Sequence, residues 1–403
     1  MPLNLLRAVF VGATLLGCAA SASIVDPANH LTPARLDADA IRPARRSQTP
    51  AAPFPYRSDD IAYTNPRHPG VHLAGTLTKP KGKGPFPAVL LISGSGPQDR
   101  DETVFGHKPF LVLADYLTRR GIAVLRVDDR GVGGSSGATR NDTTEDYATD
   151  VEAGVAFLRS QPDIDPQAVG LLGHSEGALI ATLVAQRDPR IACLVFLAGP
   201  GVPGRDLIVE QTRAIALASG ATQDEAAVRA RDQRSILDAA MSASDPESVK
   251  AAVLETVERR GLPSPQPGAL SALTSAWYRF YIAFDPRPAL RSIRMPVLAL
   301  LGSKDVQVTP EQNLPALRAA LAGNPGAEVR VLDGLNHGFQ TAQAGSPSEY
   351  ASIEETMSPV ALATIGAWIS ARFCGLSFEH ACAGTAGPLA TSSRAAPGPR
   401  GSH

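Results

Sequence analysis

The chain has 403 residues, of which 44% are hydrophobic and 19% are charged. This composition supports a sizeable core and excludes a disordered or fibrous protein. The 38 basic and 39 acidic residues nearly cancel, so no basic excess is available to bind a nucleic acid. We therefore expect a small, weakly charged substrate.

The N-terminus has the pattern of an export signal. Arg7 precedes an apolar run over residues 8–17, and residues 20–22 form an A-x-A cleavage pattern. Because the run is shorter than the about 20 residues that span a bilayer, we predict a signal peptide over residues 1–22. Cys18 also ends the letters LLGC, which resemble a bacterial lipobox. Soluble export to the periplasm and a lipid anchor on Cys18 both stay open.

The rest of the chain divides by composition. Residues 23–55 are rich in Pro and Ala and predict a linker, and residues 384–403 predict a disordered tail. Strands are predicted at 71–78, 88–92, 123–127, 168–172, 193–197, 296–301 and 329–332, with helices at 110–120, 144–160, 178–186 and 359–372. Continuous apolar runs such as 88–92 are typical of strands buried on both faces. The alternation predicts an α/β fold with a mostly parallel sheet that is covered by helices on both faces.

Residues 203–285 break this alternation, because they show helical patterns only, at 206–219, 223–242 and 246–260. We predict a helical cap over the carboxyl edge of the sheet, where open α/β sheets bind ligands. The core would then comprise residues 56–202 and 286–373. A helical side domain away from the site is the alternative.

Ser175 lies at the centre of the motif GHSEG. The motif G-x-S-x-G is weak in isolation, but here it follows the predicted strand 168–172 and precedes a helix. This strand–turn–helix order is that of a nucleophile elbow, in which a sharp turn presents the serine hydroxyl at a helix N-terminus. We predict that Ser175 is a catalytic nucleophile.

A serine nucleophile needs a base and an acid, which follow an elbow in the order acid, then His. His337 follows the last predicted strand, whereas His380 and His403 lie beyond the last strand–helix unit. The acid that orients the imidazole is predicted to be Asp305, in the loop one strand earlier. Asp333 is the competitor, but it lies only four residues before His337.

Backbone N–H groups must also stabilise the oxyanion that forms during acyl transfer. One predicted donor is Glu176, the residue after the nucleophile. The other is Ser95, with Gly94 as the alternative, in the Gly-rich loop after strand 88–92. This loop lacks the Lys-Ser/Thr of a phosphate-binding P-loop.

Five motifs together resemble one family. They are ISGSGPQDRDE (92–102), DDRGVGGSSG (128–137), GHSEG (173–177), GSKDVQV (302–308) and LNHGFQ (335–340). In order and spacing, residues 56–373 resemble the serine aminopeptidase-like branch of the α/β-hydrolase superfamily, and within it the EstD-type bacterial carboxylesterases. The resemblance implies an α/β-hydrolase fold, hydrolysis of short acyl esters and a triad of Ser175, Asp305 and His337.

The predicted function is hydrolysis of a small carboxylic ester through an acyl-enzyme on Ser175, without metal or cofactor. Trp277 and Tyr278 of the cap are candidates for the substrate pocket. A peptidase or aminopeptidase with the same triad is the first alternative, and a non-catalytic binding protein on this fold is the second.

Cys374 and Cys382 could pair in an oxidising compartment, and Cys193 is predicted to be a buried thiol. The sequence leaves the oligomeric state open.

Two charged segments are predicted to be structural. We expect Asp128–Arg130 to pack under the elbow, and Asp99, Arg100 and Asp101 to pair among themselves or with Arg130.

Overall fold

The computed structural model describes residues 46–137 and 142–374. Its centre is an eight-stranded sheet in the order β1-β2-β4-β3-β5-β6-β7-β8. The strands are β1 (Arg57–Thr64), β2 (His72–Lys79), β3 (Phe86–Ile92), β4 (Ala123–Val127), β5 (Ile164–His174), β6 (Leu194–Leu197), β7 (Val297–Gly302) and β8 (Ala327–Leu332). β1 and β2 pair antiparallel and β2 joins β4 antiparallel, whereas every pair from β4 to β8 is parallel. The predicted mostly parallel sheet is confirmed.

Helices lie between the strands and after the last one. They are α1 (Pro109–Thr118), α2 (Thr144–Ser160), α3 (Glu176–Arg187), α4 (Gly204–Ala218), α5 (Gln223–Ala240), α6 (Pro246–Arg259), α7 (Pro267–Leu273), α8 (Ala276–Ala283), α9 (Pro286–Ser292), α10 (Pro310–Leu321) and α11 (Pro359–Cys374). α1 packs against α11, and α2 packs against α3. β6 and β7 are buried at every position, as their continuous apolar sequences predict.

The first strand is the one strand of the sheet that sequence patterns did not predict. In β1 only Ile61 and Tyr63 pack against the core, and the first four residues are exposed. A strand at the edge of a sheet buries little, so it carries almost no hydrophobic periodicity. β1 therefore depends on its pairing with β2.

Residues just before β1, within the predicted linker, contact distant loops. The Arg46 guanidinium donates to the carbonyls of Phe105, Ala351 and Ile353. Gln48 exchanges hydrogen bonds with the backbone of Thr356 and Met357. This segment thus ties the loop after β3 to the loop before α11.

Helices α4–α9 connect β6 to β7. α4 packs against α5 and α8, while α9 packs against α3 and α10 beside the sheet. No helix in the described part of the chain combines the length and apolar character needed to cross a membrane.

The charged loop after β3 pairs differently from the expectation. Arg100 binds Asp128, Asp101 binds Arg126, and Arg130 instead binds Asp150. Of the two expected arrangements, the pairing of residues 99–101 with Arg130 is therefore wrong. β3 and β4 are parallel neighbours, so the loop after β3 leaves the sheet beside the end of β4, where Arg126 and Asp128 lie.

The strand order opens a crevice at the carboxyl edge of the sheet, beside β3. β3 lies between β4 and β5, so the chain leaves β3 to one side and later returns to the other. Loops at the carboxyl ends of β3 and β5 consequently border a crevice, which is the usual ligand site of such sheets. The loops after β6, β7 and β8 lie along the same edge.

Two cysteine predictions differ in outcome. Cys193 is a buried free thiol, as expected. Cys382 and Cys18 lie outside the described residues, as does the side chain of Cys374, and so do the predicted signal peptide and tail.

Candidate active site

Ser175 occupies a strained turn between β5 and α3. Its φ of 53° and ψ of −117° are uncommon for a residue with a side chain. Its backbone N–H donates to the Leu197 carbonyl at 2.8 Å, which ties the turn to the end of β6. A Cβ on Gly173 would collide with the Gly177 carbonyl, and one on Gly177 with the Ile92 carbonyl. The glycines therefore let the turn close against β3 and present a partly exposed serine.

His337 and Asp305 lie together at the same edge. Asp305 Oδ2 is 2.9 Å from His337 Nδ1, and the aspartate side chain is fully buried. The other carboxylate oxygen accepts the backbone N–H groups of Gln307 and Val308. These bonds fix the carboxylate and orient the imidazole so that Nε2 is left for a reacting group.

Asp333, the competing acid, is exposed on the surface. Its carboxylate accepts the Ser303 hydroxyl at 2.9 Å. Asp305, not Asp333, is thus the carboxylate that bonds to the His337 ring.

The loop after β3 presents backbone N–H groups near Ser175. Gly94 N–H donates to Glu102 Oε1 at 2.7 Å, so it is already occupied. In the described part of the chain, neither Ser95 N–H nor Glu176 N–H donates to a protein acceptor. This geometry favours Ser95 over Gly94 as the partner of Glu176 in binding an oxyanion.

The Glu176 carboxylate is buried beside the elbow. It accepts the Thr144 hydroxyl at 2.7 Å and the Trp277 indole N–H at 2.9 Å. Burial raises the pKa of Glu176, and these hydrogen bonds partly oppose the increase. A residue of α8 thereby bonds directly to the residue that follows Ser175.

A cavity of about 150 Å³ opens above these groups. Ser175 and His337 both line it, together with Ser95. The inserted helices contribute a mainly apolar wall of Leu207, Ile208, Trp277, Tyr278 and Tyr281. Both residues predicted for the pocket therefore line the cavity that Ser175 and His337 share, although Trp277 also serves as a hydrogen-bond donor.

The sequence did not single out Glu102 or His174, which also line the cavity. His174 Nδ1 lies 2.8 Å from Glu102 Oε1, and its Nε2 lies 3.1 Å from the His337 carbonyl. Both residues stand inside motifs that carried the family resemblance, QDRDE and GHSEG. The contact between Glu102 and His174 could not be predicted from sequence patterns, because the two residues are 72 positions apart.

Within residues 46–137 and 142–374, no group of three or more His, Cys, Asp or Glu side chains is arranged to hold a metal ion.

Comparison with known proteins places these features in a family. The family model described as serine aminopeptidase, S33, matches residues 108–341, which is more than half of the chain. Esterase EstD of Thermotoga maritima is 29% identical over 279 residues, covering 69% of this chain and 61% of the relative. Esterase FrsA of Klebsiella pneumoniae is 31% identical over 135 residues, covering 34% of this chain and 30% of the relative. The chain thus spans about three fifths of the length of EstD and less than a third of that of FrsA.

The architecture also matches solved structures. A hypothetical protein of Pseudomonas aeruginosa superposes with a TM-score of 0.50 at 15% identity, over 81% of this chain and 96% of its own. At that identity the likeness concerns the fold. Together with the family match and the strand order, it establishes the α/β-hydrolase fold.

Proposed function

The chain belongs to the serine aminopeptidase S33 family of α/β-hydrolases, and we propose that it hydrolyses small carboxylic esters through an acyl-enzyme on Ser175. The observation that supports this proposal most is the pair of His337 and Asp305, 2.9 Å apart, beside a cavity shared with a strained serine. The esterase relatives agree with it.

In the proposed first step, His337 Nε2 accepts the Ser175 proton as Oγ attacks the ester carbonyl. The carbonyl oxygen becomes an oxyanion between the backbone N–H groups of Ser95 and Glu176. Asp305 stabilises the imidazolium through Nδ1–H. His337 then returns the proton to the leaving alcohol, and the acyl group stays on Ser175.

In the second step, His337 takes a proton from water, whose oxygen attacks the acyl carbonyl. Collapse of the second oxyanion breaks the bond to Ser175 and releases the carboxylic acid. The proton on His337 returns to Ser175 Oγ, which restores the starting state.

The size of the cavity supports a short acyl chain. A cavity of about 150 Å³ is comparable to an engineered cavity that holds one benzene molecule. Its wall is mainly apolar, so we propose short, uncharged acyl groups as substrates.

An aminopeptidase with the same triad is the second candidate, because the matching family model carries that description. Such an enzyme needs a free carboxylate to bind the substrate amine. Among the described residues that line the cavity, Glu102 is the one carboxylate, and it is bonded to Gly94 and His174. Asp232, which is buried in the inserted helices, pairs with Arg260 instead. These contacts favour the esterase.

One substrate pair separates the two. We expect turnover of nitrophenyl butyrate and no comparable turnover of aminoacyl nitroanilides. A fluorophosphonate probe should label the chain, and Ser175→Ala should abolish both labelling and hydrolysis while leaving the fold intact. Labelling that persists on another serine would contradict the assignment of Ser175, and preferential anilide hydrolysis would favour the peptidase.

We also propose that the protein is exported, on the signal-peptide pattern of residues 1–22. Incorporation of labelled palmitate into the full chain, abolished by Cys18→Ala, would identify a lipoprotein. A cleaved, unlabelled protein in the periplasmic fraction would identify soluble export, and an uncleaved cytosolic chain would contradict both.

A further inference from the structure

Glu102 is a buried carboxylate that the proposed mechanism leaves without a role. It lies in the loop after β3 with a positive φ of 52°, a conformation uncommon for residues other than glycine. The turn before it is held in shape, because Glu102 N–H donates to the Asp99 carbonyl at 2.9 Å. Asp99 Oδ1 in turn accepts the backbone N–H groups of Asp101 and Thr103. The surrounding structure thus imposes a strained backbone at this position.

One oxygen of Glu102 joins two parts of the active site. Oε1 accepts Gly94 N–H at 2.7 Å and lies 2.8 Å from His174 Nδ1. Gly94 precedes the proposed oxyanion donor Ser95, and His174 precedes the nucleophile. The carboxylate therefore fixes the loop after β3 relative to the elbow.

His174 extends this connection to the loop of the base. Its Nε2 lies 3.1 Å from the His337 carbonyl, and the two rings are 4.8 Å apart. Both ring nitrogens of His174 thus face acceptors. A neutral imidazole carries one N–H, so only the imidazolium can donate to both.

The charges around His174 favour that form. Burial lowers the pKa of His174, but the Glu102 charge and hydrogen bond and the His337 carbonyl outweigh burial and raise it overall. Asp305, beyond the His337 ring, acts in the same direction. Asp129 is also close enough to feel the charges of Glu102 and Glu176, and burial together with these charges raises its pKa to about 8.

We propose that Glu102 and the protonated His174 form a positioning pair that holds the oxyanion loop and the His337 loop around Ser175, so that loss of the His174 proton lowers kcat. The inference rests on the proposed ester hydrolysis. Neither residue is assigned to the reacting atoms.

The pair predicts an alkaline limb in the pH dependence of kcat. Because the pKa of His174 is raised, its proton stays bound to a higher pH than that of a free histidine. When the proton leaves, the bond to the His337 carbonyl is lost and kcat falls.

Three variants separate this pair from other groups. His174→Asn should lower kcat about 10- to 100-fold through misplacement of the base, leave KM within about twofold, and abolish the alkaline limb. Glu102→Gln should move that limb to lower pH, because the charge that retains the proton is gone. Asp129→Asn, which resembles the protonated carboxyl, should leave the limb in place whatever its effect on rate. Glu258→Gln, exposed on α6, is the control for a lost carboxylate charge.

A variant that misfolds would also lose activity, so the protonation state of His174 is measured directly, without turnover. Nitrogen-15 NMR of the Ser175→Ala protein should show a doubly protonated His174 at neutral pH that titrates where the alkaline limb falls. A neutral His174 at pH 7, or an alkaline limb that persists in His174→Asn, would overturn the proposal. Absence of ester turnover in the wild-type chain would instead contradict the proposed function, while the titration would still test the pair.

Discussion

The indole nitrogen of Trp277 lies 2.9 Å from Oε1 and 3.1 Å from Oε2 of Glu176. Trp277 belongs to α8 of the inserted helices, whereas Glu176 directly follows Ser175 and begins α3. The bond therefore connects those helices to the residue whose backbone N–H we propose as an oxyanion donor. A change at Trp277 alters more than the shape of the pocket.

Replacing this indole tests the connection. Trp277→Phe removes one donor from a buried carboxylate, and hydrogen bonds to charged groups contribute about 1.5–3 kcal/mol. We expect kcat/KM for nitrophenyl acetate to fall at least about tenfold, since 1.4 kcal/mol corresponds to that factor. Acetate is too short to depend on the apolar wall.

The other tryptophan supplies the control. Trp368 in α11 donates its indole N–H to Glu328 at 2.8 Å, and it does not line the cavity. Trp368→Phe should leave kcat/KM within about twofold. Equal losses in the two variants would mean that the Trp277 bond has no specific effect on catalysis.

The assignment of the acid is tested at Asp305. Asp305→Asn keeps the size of the side chain but no longer holds the imidazole in the required tautomer, so we expect kcat to fall by about four orders of magnitude. Asp333→Asn removes a carboxylate that bonds to Ser303 at the surface, and its effect should stay within about twofold. Steady-state kinetics on nitrophenyl butyrate decide the matter, and a reversed order would make Asp333 the acid.

The close approach of the elbow to β3 predicts a strong effect at Gly177. In Gly177→Ala the new Cβ would collide with the Ile92 carbonyl, and overpacking a core costs about 1–3 kcal/mol. We expect a loss of about that size in the free energy of unfolding, measured by urea denaturation, together with loss of probe labelling. Gly268→Ala in α7 meets no atom within 4 Å and should stabilise by up to about 1 kcal/mol. Similar changes in unfolding free energy and labelling for the two variants would contradict the close contact between Gly177 and β3.

The apolar wall should set the preference for acyl length. Ile208 is buried and lines the cavity, so Ile208→Ala removes contacts that a longer acyl chain would make. Each buried methylene contributes about 0.8 kcal/mol, or roughly fourfold in kcat/KM. We expect the butyrate-to-acetate ratio of kcat/KM to fall by about that factor or more.

Val228 provides the matched change. It is a β-branched residue on α5 with 45% of its surface exposed, and Val228→Ala should leave the ratio unchanged. Uniform losses for acetate, butyrate and octanoate in Ile208→Ala would mean that α4 supports the fold but forms no acyl pocket.

The strands and helices that form the layers of this fold could be predicted from the sequence, because each depends on a pattern of neighbouring residues. Apolar runs and the apolar parts of mixed segments predicted seven of the eight strands, and α2 was predicted with the bounds that the structure has, Thr144–Ser160. The elbow was equally readable, since a sharp turn needs glycines at fixed positions around Ser175. β1 was missed because an exposed edge strand buries too little to produce a hydrophobic period.

The polar contacts between loops were decided by the tertiary structure. Glu102 and His174 are 72 positions apart, and Glu176 and Trp277 are 101 apart. The sequence around a polar residue does not identify its hydrogen-bond partner. The pairing depends instead on how the strand order of the sheet brings the loops together. The pairing of Asp101 with Arg126 instead of Arg130 has the same origin. The sequence by itself determined the fold class and named Ser175, Asp305 and His337 as a predicted triad. Only the tertiary structure decided which other charged groups surround these three residues. Their positions depend on where the backbone brings the loops at the carboxyl edge of the sheet, and the spacing of residues along the chain does not reveal this.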